Sequence, residues 1–456
     1  MHYARSLLER RGSLALVLGC VTFAGLVNCS SSDDAPLNVA VDGGDQADAN
    51  EPVDAGEDAP IDRYEAPFDG GPLPVVCEEE PCARVLVTTR GANATDRGEG
   101  FCALLHDDTV ACWGANGAGQ LGRGEAASVD DSATAARVPD VTGIVSLDHT
   151  CALDRLGDTY CWGTGPFLRS PTVATTTERT PVKLDIPKAT KIAIGSSAGC
   201  AVSEGRVLCW GGNTNAQIAP FHEQSPFAVL PPTEVALPSG EPIAQLVMGD
   251  ATFAIRTDGS MITWGANPPL ARLTSLFPDP FPAESVLRGV STLDVAENNA
   301  CATAGGVGFC WGAVILRSTE PAQGTSRLDR AIPARVAKTD EPLVQISTTR
   351  TVVSTTTIPP LVQPQRWCGV GASGAVYCWG YNAGGEAGDG TTDHAYEPVK
   401  VAGLPGPAAQ VRTTPGATCA LLTSGKVHCW GTNYYGQLGS GKLRIPSLTP
   451  QEVALP

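Results

Sequence analysis

Cys200-Ala-Val-Ser-Glu-Gly-Arg-Val-Leu-Cys209-Trp210-Gly211 holds two short apolar runs on either side of Glu204-Gly205, and it ends in Trp-Gly. Glu-Gly is the chemistry of a two-residue turn, so the stretch reads as a β-hairpin. Working outward, Trp-Gly recurs at Trp113, Trp162, Trp210, Trp264, Trp311, Trp379 and Trp430, at intervals of 49, 48, 54, 47, 68 and 51 residues. A period near fifty marks one supersecondary unit copied and stacked, because a single copy cannot bury its own apolar face. Glycine and proline are abundant and no segment sustains a 3.6-residue apolar period. The expected fold is therefore all-β, a seven-bladed β-propeller of about 50-residue repeats.

Six of the seven tryptophans directly follow a cysteine that has a second cysteine nine or ten residues upstream. The pairs Cys200 with Cys209 and Cys301 with Cys310 flank two-residue turns. The pairs Cys102 with Cys112, Cys151 with Cys161, Cys368 with Cys378 and Cys419 with Cys429 are one residue longer. Their three-residue loops end in Asp108, Gly157, Gly374 and Gly425, which suit the left-handed conformation that such a loop needs there. In both classes the cysteines fall on a non-hydrogen-bonded pair, with Cα atoms roughly 4.5 Å apart, close enough to bridge. Six hairpin disulfides are expected. The remaining repeat has Phe253 and Thr263 at the equivalent places, a joint loss that fits a bonded pair. No repeat has the ligand spacing of a zinc site, and neither a metal nor a cofactor is expected.

Arg5, Arg10 and Arg11 precede an apolar run from Leu14 to Val27, and Cys29 comes soon after. This reads as a signal peptide over residues 1–28 with Cys29 as the lipidated residue, in the manner of a bacterial lipoprotein. Asn28 departs from the small residue usual before that cysteine, and Cys20 fits the processing motif better. Parity favours Cys29: it leaves fourteen cysteines, the six hairpin pairs plus Cys77 with Cys82. A cleaved but unlipidated secretory signal is the other alternative. Residues 29–76 read as an acidic, disordered tether. From residue 30 to 75 there are twelve Asp and Glu against one Arg, so −11 of the net charge of −17 lies here. The propeller then spans 77–456. The expected location is the bacterial cell envelope, lipid-anchored or secreted, with the membrane touched only through the anchor. The acidity argues against nucleic acid.

Trp113-Gly-Ala-Asn-Gly-Ala-Gly-Gln-Leu-Gly-Arg-Gly124 and Trp430-Gly-Thr-Asn-Tyr-Tyr-Gly-Gln-Leu-Gly-Ser-Gly441 resemble the signature of the regulator of chromosome condensation repeat family, and residues 379–390 are a close variant. The resemblance covers about 80% of the chain and implies a seven-bladed propeller. Repeats three to five have lost most of the Gly-Gln-Leu-Gly segment. The family's nucleotide exchange on a nuclear GTPase is not expected here, since no exchange-site motif matches and an exported chain does not meet that partner. The chain ends in Gln451-Glu-Val-Ala-Leu-Pro456, which matches Thr233-Glu-Val-Ala-Leu-Pro238. That suggests a last strand completing the first blade, which would close the ring and protect both edges.

Gly117-Ala-Gly-Gln-Leu-Gly122 satisfies a dinucleotide-loop pattern, but no helix comes after it. Gly195-Ser-Ser-Ala-Gly199 satisfies a nucleophile-elbow pattern, but it leads into a cysteine hairpin. The six histidines, His149 and His428 among them, are scattered singly. The repeated tryptophans are expected in the core. Two Pro-rich segments depart from the repeat, residues 267–282 with Phe277 and Phe281, and residues 355–367 with Arg366 and Trp367. These four residues are the candidate binding positions, since insertions map to propeller faces. The expected function is recognition of a protein or glycan partner by a monomeric scaffold. The alternative is a polysaccharide hydrolase or lyase, which requires two carboxylates, or a histidine and an acid, to converge on the ring axis.

Overall fold

Each Trp-Gly lies in the third strand of a four-stranded antiparallel sheet. In the first blade the strands are Ala83–Thr88, Gly100–Leu105, Val110–Gly114 and Ser132–Arg137, paired in chain order. The same meander recurs over 144–183, 191–235, 243–284, 290–335, 343–400 and 408–452, giving a seven-bladed propeller with no helix among the described residues. The sixth blade carries one extra hairpin, Val352–Ser354 with Leu361–Gln363, between its first two strands. This computed structural model describes residues 68–91, 98–124, 130–297, 299–315, 328–354 and 361–456. The expected signal, Cys29 and the tether as far as residue 67 lie outside the described residues, as do residues 355–360 of the second candidate loop.

The hairpins have the loops that their spacing implies. Glu204-Gly205 and Gly305-Gly306 have positive φ at both positions, and Asp108, Gly157, Gly374 and Gly425 are left-handed. All six cysteine pairs face each other across their hairpins and are bonded. Cys102 is joined to Cys112, Cys151 to Cys161 and Cys200 to Cys209. Cys301 is joined to Cys310, Cys368 to Cys378 and Cys419 to Cys429. Their Cα atoms are 4.1 Å apart throughout, closer than the 4.5 Å typical of an unbridged pair at this position. Cys112, Cys161, Cys378 and Cys429, each directly before its tryptophan, are fully buried, so the bridges belong to the core. Cys77 is bonded to Cys82 ahead of the first blade. Phe253 and Thr263 face each other in the blade that lacks the cysteines.

The glycine after each tryptophan has a stricter cause. All seven sit at a bulge between the third and fourth strands with φ between 77° and 127°. A Cβ on Gly114 would lie 2.5 Å from the Glu99 carbonyl oxygen. No side chain fits there, and L-residues avoid that backbone conformation.

The tryptophans join blade to blade. Trp162 Nε1 donates to the Gln120 carbonyl at 3.0 Å, Trp264 to Gln217 at 2.8 Å and Trp430 to Glu386 at 2.8 Å. In each pair the acceptor lies in the loop after the preceding blade's Trp-Gly. Trp210 and Trp311 make the same bond to Pro166 and Pro269, where that loop is shorter. The matching loop for Trp379 lies outside the described residues. An asparagine shapes the longer loops: Asn116 Oδ1 accepts from Leu121 N, Asn382 from Ala387 N and Asn433 from Leu438 N, at 3.1, 2.7 and 3.1 Å. Gln120 and Gln437 brace the loop from inside, accepting from the amide two residues back. Each indole is buried in a cluster that spans two neighbouring blades.

The ring closes by this same contact and not by strand exchange, which corrects the expectation from the C-terminal sequence. Ser447–Glu452 pairs with Val427–Gly431 inside the seventh blade, and the first blade supplies its own four strands. The seam is made by Trp113 Nε1 donating to the Gln437 carbonyl at 3.0 Å, by Leu86 N donating to Gln410 Oε1 at 2.9 Å, and by a shared apolar cluster with Phe101, Leu421 and Leu438. The sequence match at 451–456 reflects an equivalent outer strand.

That outer strand is the free edge of each blade. Six of the seven contain proline: Pro181, Pro231 with Pro232, Pro280 with Pro282, Pro333, Pro398 and Pro450. Proline removes the donor that a further strand would need, so the rim resists edge-to-edge pairing. The end of the stretch read as a tether also contacts the propeller: Val75 packs on the first and seventh blades, and Val76 N donates to Thr423 O at 2.7 Å.

Ring closure has a direct test. Trp113→Phe removes a bond between residues 324 apart in sequence, whereas Trp264→Phe removes the equivalent bond within the run of blades. Each leaves a buried carbonyl unpaired, and each is expected to cost on the order of 2–3 kcal/mol. Equal losses in denaturant unfolding are expected. A Trp113 variant as stable as the parent would mean an open array.

Candidate functional site

The first strand of each blade faces the axis. Val85, Ser146, Ile192, Leu246, Leu293 and Arg412, from six blades, surround a channel cavity of about 260 Å³. A second cavity of about 360 Å³ forms the channel mouth, where the first and second strands of the blades connect. Acids and a histidine do converge here. Asp148 Oδ1 lies 3.9 Å from His149 Nε2, and Arg412 Nη1 lies 3.2 Å from Asp294 Oδ1. These groups are engaged in joining blades. Asp148 Oδ2 accepts from Ile194 N at 2.7 Å, and Asp294 Oδ2 from Thr348 N at 2.8 Å and Ser347 Oγ at 2.9 Å. His149 Nδ1 lies 2.9 Å from the Thr88 carbonyl oxygen, which makes it the protonated nitrogen. Arg90 donates to the Met248 carbonyl at 3.1 Å, among the charges of Asp148, Asp250 and Glu297.

The channel shifts protonation. Burial pushes the Asp148 carboxyl up against the pull of Arg90. Burial, then the charge of Glu297, raises Asp250. Burial, then repulsion from Arg90, holds His149 well below its usual value, so it is neutral at pH 7. Sequence reading missed this constellation. The recurrence of Leu-Asp at Leu147-Asp148 and Leu293-Asp294 is its one trace.

A larger cleft of about 490 Å³ opens between the sixth and seventh blades. Val352 and Val362 of the extra hairpin, Tyr381, Tyr434, Arg444 and Leu448 line it. In a four-strand meander the first–second and third–fourth connections share one end. The channel mouth, this cleft and the loop at 267–278 therefore open on the same face.

That last loop presents Leu273 and Phe277, each 79% exposed, and the outer strand it enters, Asp279–Glu284, presents Phe281, 52% exposed. Its base is fixed by the missing disulfide. Thr263 stands where other repeats have a cysteine, and Arg272 Nε donates to its hydroxyl at 3.2 Å. Arg272 also pairs with buried Asp279 at 2.7 Å and donates to the Phe281 carbonyl at 2.9 Å. Burial pushes Asp279 up, but hydrogen bonds from Phe281 N and Arg272 outweigh it and leave the carboxyl below its ordinary range.

The other two candidate positions are corrected. Arg366 and Trp367 begin the second strand of the sixth blade and are 1% and 8% exposed. Arg366 donates to the Thr414 and Ala417 carbonyls at 2.6 and 3.0 Å, and Trp367 stacks on Trp379. The proline run ends at Pro364, and the strand register buries both residues beyond it. Gly195–Gly199 is a tight turn with Gly195 N donating to Ala198 O, as its hairpin context implies. No cluster of three or more His, Cys, Asp or Glu suited to a metal occurs among the described residues.

Residues 373–421 and 416–437 match the family described as the regulator of chromosome condensation (RCC1) repeat. The last two blades carry RCC1 repeats. The chain is 27% identical over 391 residues to the ultraviolet-B receptor UVR8 of Arabidopsis thaliana, covering 82% of this chain and 71% of that one. A 70-residue stretch is 41% identical to the human E3 ubiquitin-protein ligase HERC2, of which it spans 1%. Among solved structures, the RCC1-repeat fold is matched by yeast RCC1 (Prp20) bound to Kap60, with a TM-score of 0.59 at 19% identity, covering 75% of this chain and 83% of that one. Human WBSCR16 matches with a TM-score of 0.58 at 17% identity, covering 76% and 94%.

His149 makes the channel sensitive to pH. Its folded pKa lies below the unfolded value of 6.5, so the unfolded chain binds more protons below pH 6.5. Its contribution to stability is present above that value and is lost as pH falls through it. His149→Asn is expected to flatten the fall in melting temperature between pH 8 and pH 5, and asparagine tolerates the left-handed backbone at that position (φ 51°). An unchanged pH profile would show that His149 is not the group responsible.

Proposed function

We propose that this chain is an extracytoplasmic recognition protein that binds a protein or glycan partner on one face of its RCC1-repeat propeller. The observation that carries this reading is the collection of departures from the repeat on that face: the apolar-tipped loop at 267–282, the extra hairpin and the cleft beside it. Exposed phenylalanine and leucine on a loop fixed by a buried ion pair offer contact area at low ordering cost. Seven disulfides support an oxidising compartment. The hydrolytic alternative draws support from the carboxylates and histidine on the axis. Against it, Asp148 and Asp294 already accept backbone amides of the next blade, which suits them to holding the ring. Recognition by this face and anchoring at Cys29 are separate parts of the reading.

Double substitution of Phe277 and Phe281 by serine is expected to abolish capture of the partner from envelope extract while the melting temperature stays within a degree or so. Retained capture would remove this loop from the interface. Cys29→Ser is expected to prevent lipid labelling and release the protein from the membrane fraction. Release by Cys20→Ser instead would move the processing site. Peptide mapping of the exported protein should recover Cys200 linked to Cys209 and Cys301 linked to Cys310, and free thiols at these positions would contradict the compartment.

A further inference from the structure

We propose that the cleft between the sixth and seventh blades is a binding site for an acidic glycan, an oligosaccharide bearing uronate carboxylates. The inference rests on the recognition reading and assigns it a ligand class and a place. Four features of the cleft carry it.

The first is size: about 490 Å³ lies within the range of small-ligand pockets. The second is the aromatic lining. Tyr381 and Tyr434 border the cleft, and Tyr434 is 67% exposed, more than a structural tyrosine in a packed loop requires. The face of an aromatic ring is the negative side of its quadrupole, and the C–H face of a pyranose ring is its natural complement.

The third is charge. Glu386 and Arg444 are the charged residues lining the cleft. Glu386 is 1% exposed, its Oε2 accepts from the Gly384 amide at 2.8 Å, and it lies within the field of the buried Arg366 guanidinium. Arg444 is exposed, and among the described residues its guanidinium makes no hydrogen bond or ion pair. Arg412 and Arg350, in contrast, are paired to Asp294 and Glu297. A guanidinium presented in this way binds a carboxylate in a bidentate fork.

The fourth is backbone strain. Arg444 has φ of 62°, a conformation that favours glycine or asparagine, and its amide donates to the Asn433 carbonyl at 2.7 Å. An arginine held there by its loop is the kind of outlier that marks a ligand contact. A peptide strand is the less suitable occupant, because the outer strands on either side, Ala395–Lys400 and Ser447–Glu452, carry Pro398 and Pro450 where a ladder would have to form.

The test is calorimetric titration of the full chain with tetrasaccharides of galacturonate, glucuronate, mannuronate and guluronate. The methyl ester of each keeps the rings and removes the charge. At least one acid form is expected to bind, and its ester to bind roughly tenfold to a hundredfold more weakly. Arg444→Asn, which tolerates the backbone, should weaken the acid by a similar factor and bind acid and ester alike. Tyr434→Ala should weaken both, and neither variant should shift the melting temperature. Absence of binding by all four acids would overturn the proposal, as would equal affinity for acid and ester in the parent. Competition at equal affinity by an acidic hexapeptide would also overturn it, by showing a charge site without sugar recognition. Partner capture sensitive to Phe277 and Phe281 would survive each of those failures, so the cleft and the wider recognition reading fail separately.

Discussion

One hydrogen bond, repeated around the ring, governs this architecture: an indole N–H of one blade donating to a loop carbonyl of the blade before it. In the longer loops the carbonyl is held in place by an asparagine at the start of the loop and by a glutamine or glutamate within it, and in the two shorter ones a proline supplies the carbonyl. The loop leaves the third strand through a bulge that only glycine can occupy. Trp, Gly, Asn and Gln are thus four parts of one joint. The joint also explains why the repeat cannot stand alone, since each blade supplies an acceptor for its successor and a donor for its predecessor. Among the described residues six of the seven copies are satisfied in this way, including Trp113 with Gln437 at the two ends of the ring.

Much of this was legible in the sequence, for a physical reason. Turn chemistry and cysteine spacing are local, so Glu204-Gly205, Asp108 and the six cysteine pairs could be placed without knowing how blades pack. Blade number came from counting Trp-Gly. Closure was misread because the matching hexapeptides at 233–238 and 451–456 share a strand type, and strand type does not say which sheet receives the strand. Arg366 and Trp367 were misplaced for a related reason. A proline run predicts a loop, but where the loop ends and a buried strand begins depends on register with Thr348, on the far side of the inserted hairpin. The channel constellation was hidden more deeply, since Asp148, Asp294 and Arg412 meet only when the second, fifth and seventh blades surround one axis.

The two ends of the propeller differ in what they can do. At one end the disulfide hairpins are short and uniform, with turns of two or three residues. At the other, the connections vary in length and carry the exposed phenylalanines, the inserted hairpin and the mouth of the channel. The blade without a disulfide illustrates the trade. Where Thr263 replaces a cysteine, the space is used by Arg272 and Asp279, and this buried pair supports the apolar loop above it. Covalent stiffness in the hairpin has given way to a polar brace that shapes the opposite face.

The placement of the staples has a mechanical consequence. All six hairpin bridges lie within a blade, and no described bridge ties one blade to the next. A chain pulled from its two ends would therefore part at the non-covalent joints and release its blades as discrete units. Within each stapled blade the cysteines stand nine or ten residues apart in sequence, and that stretch would stay folded back, withholding about 3 nm of length. The fourth blade alone among the seven would extend fully, and it is the blade that carries the apolar loop.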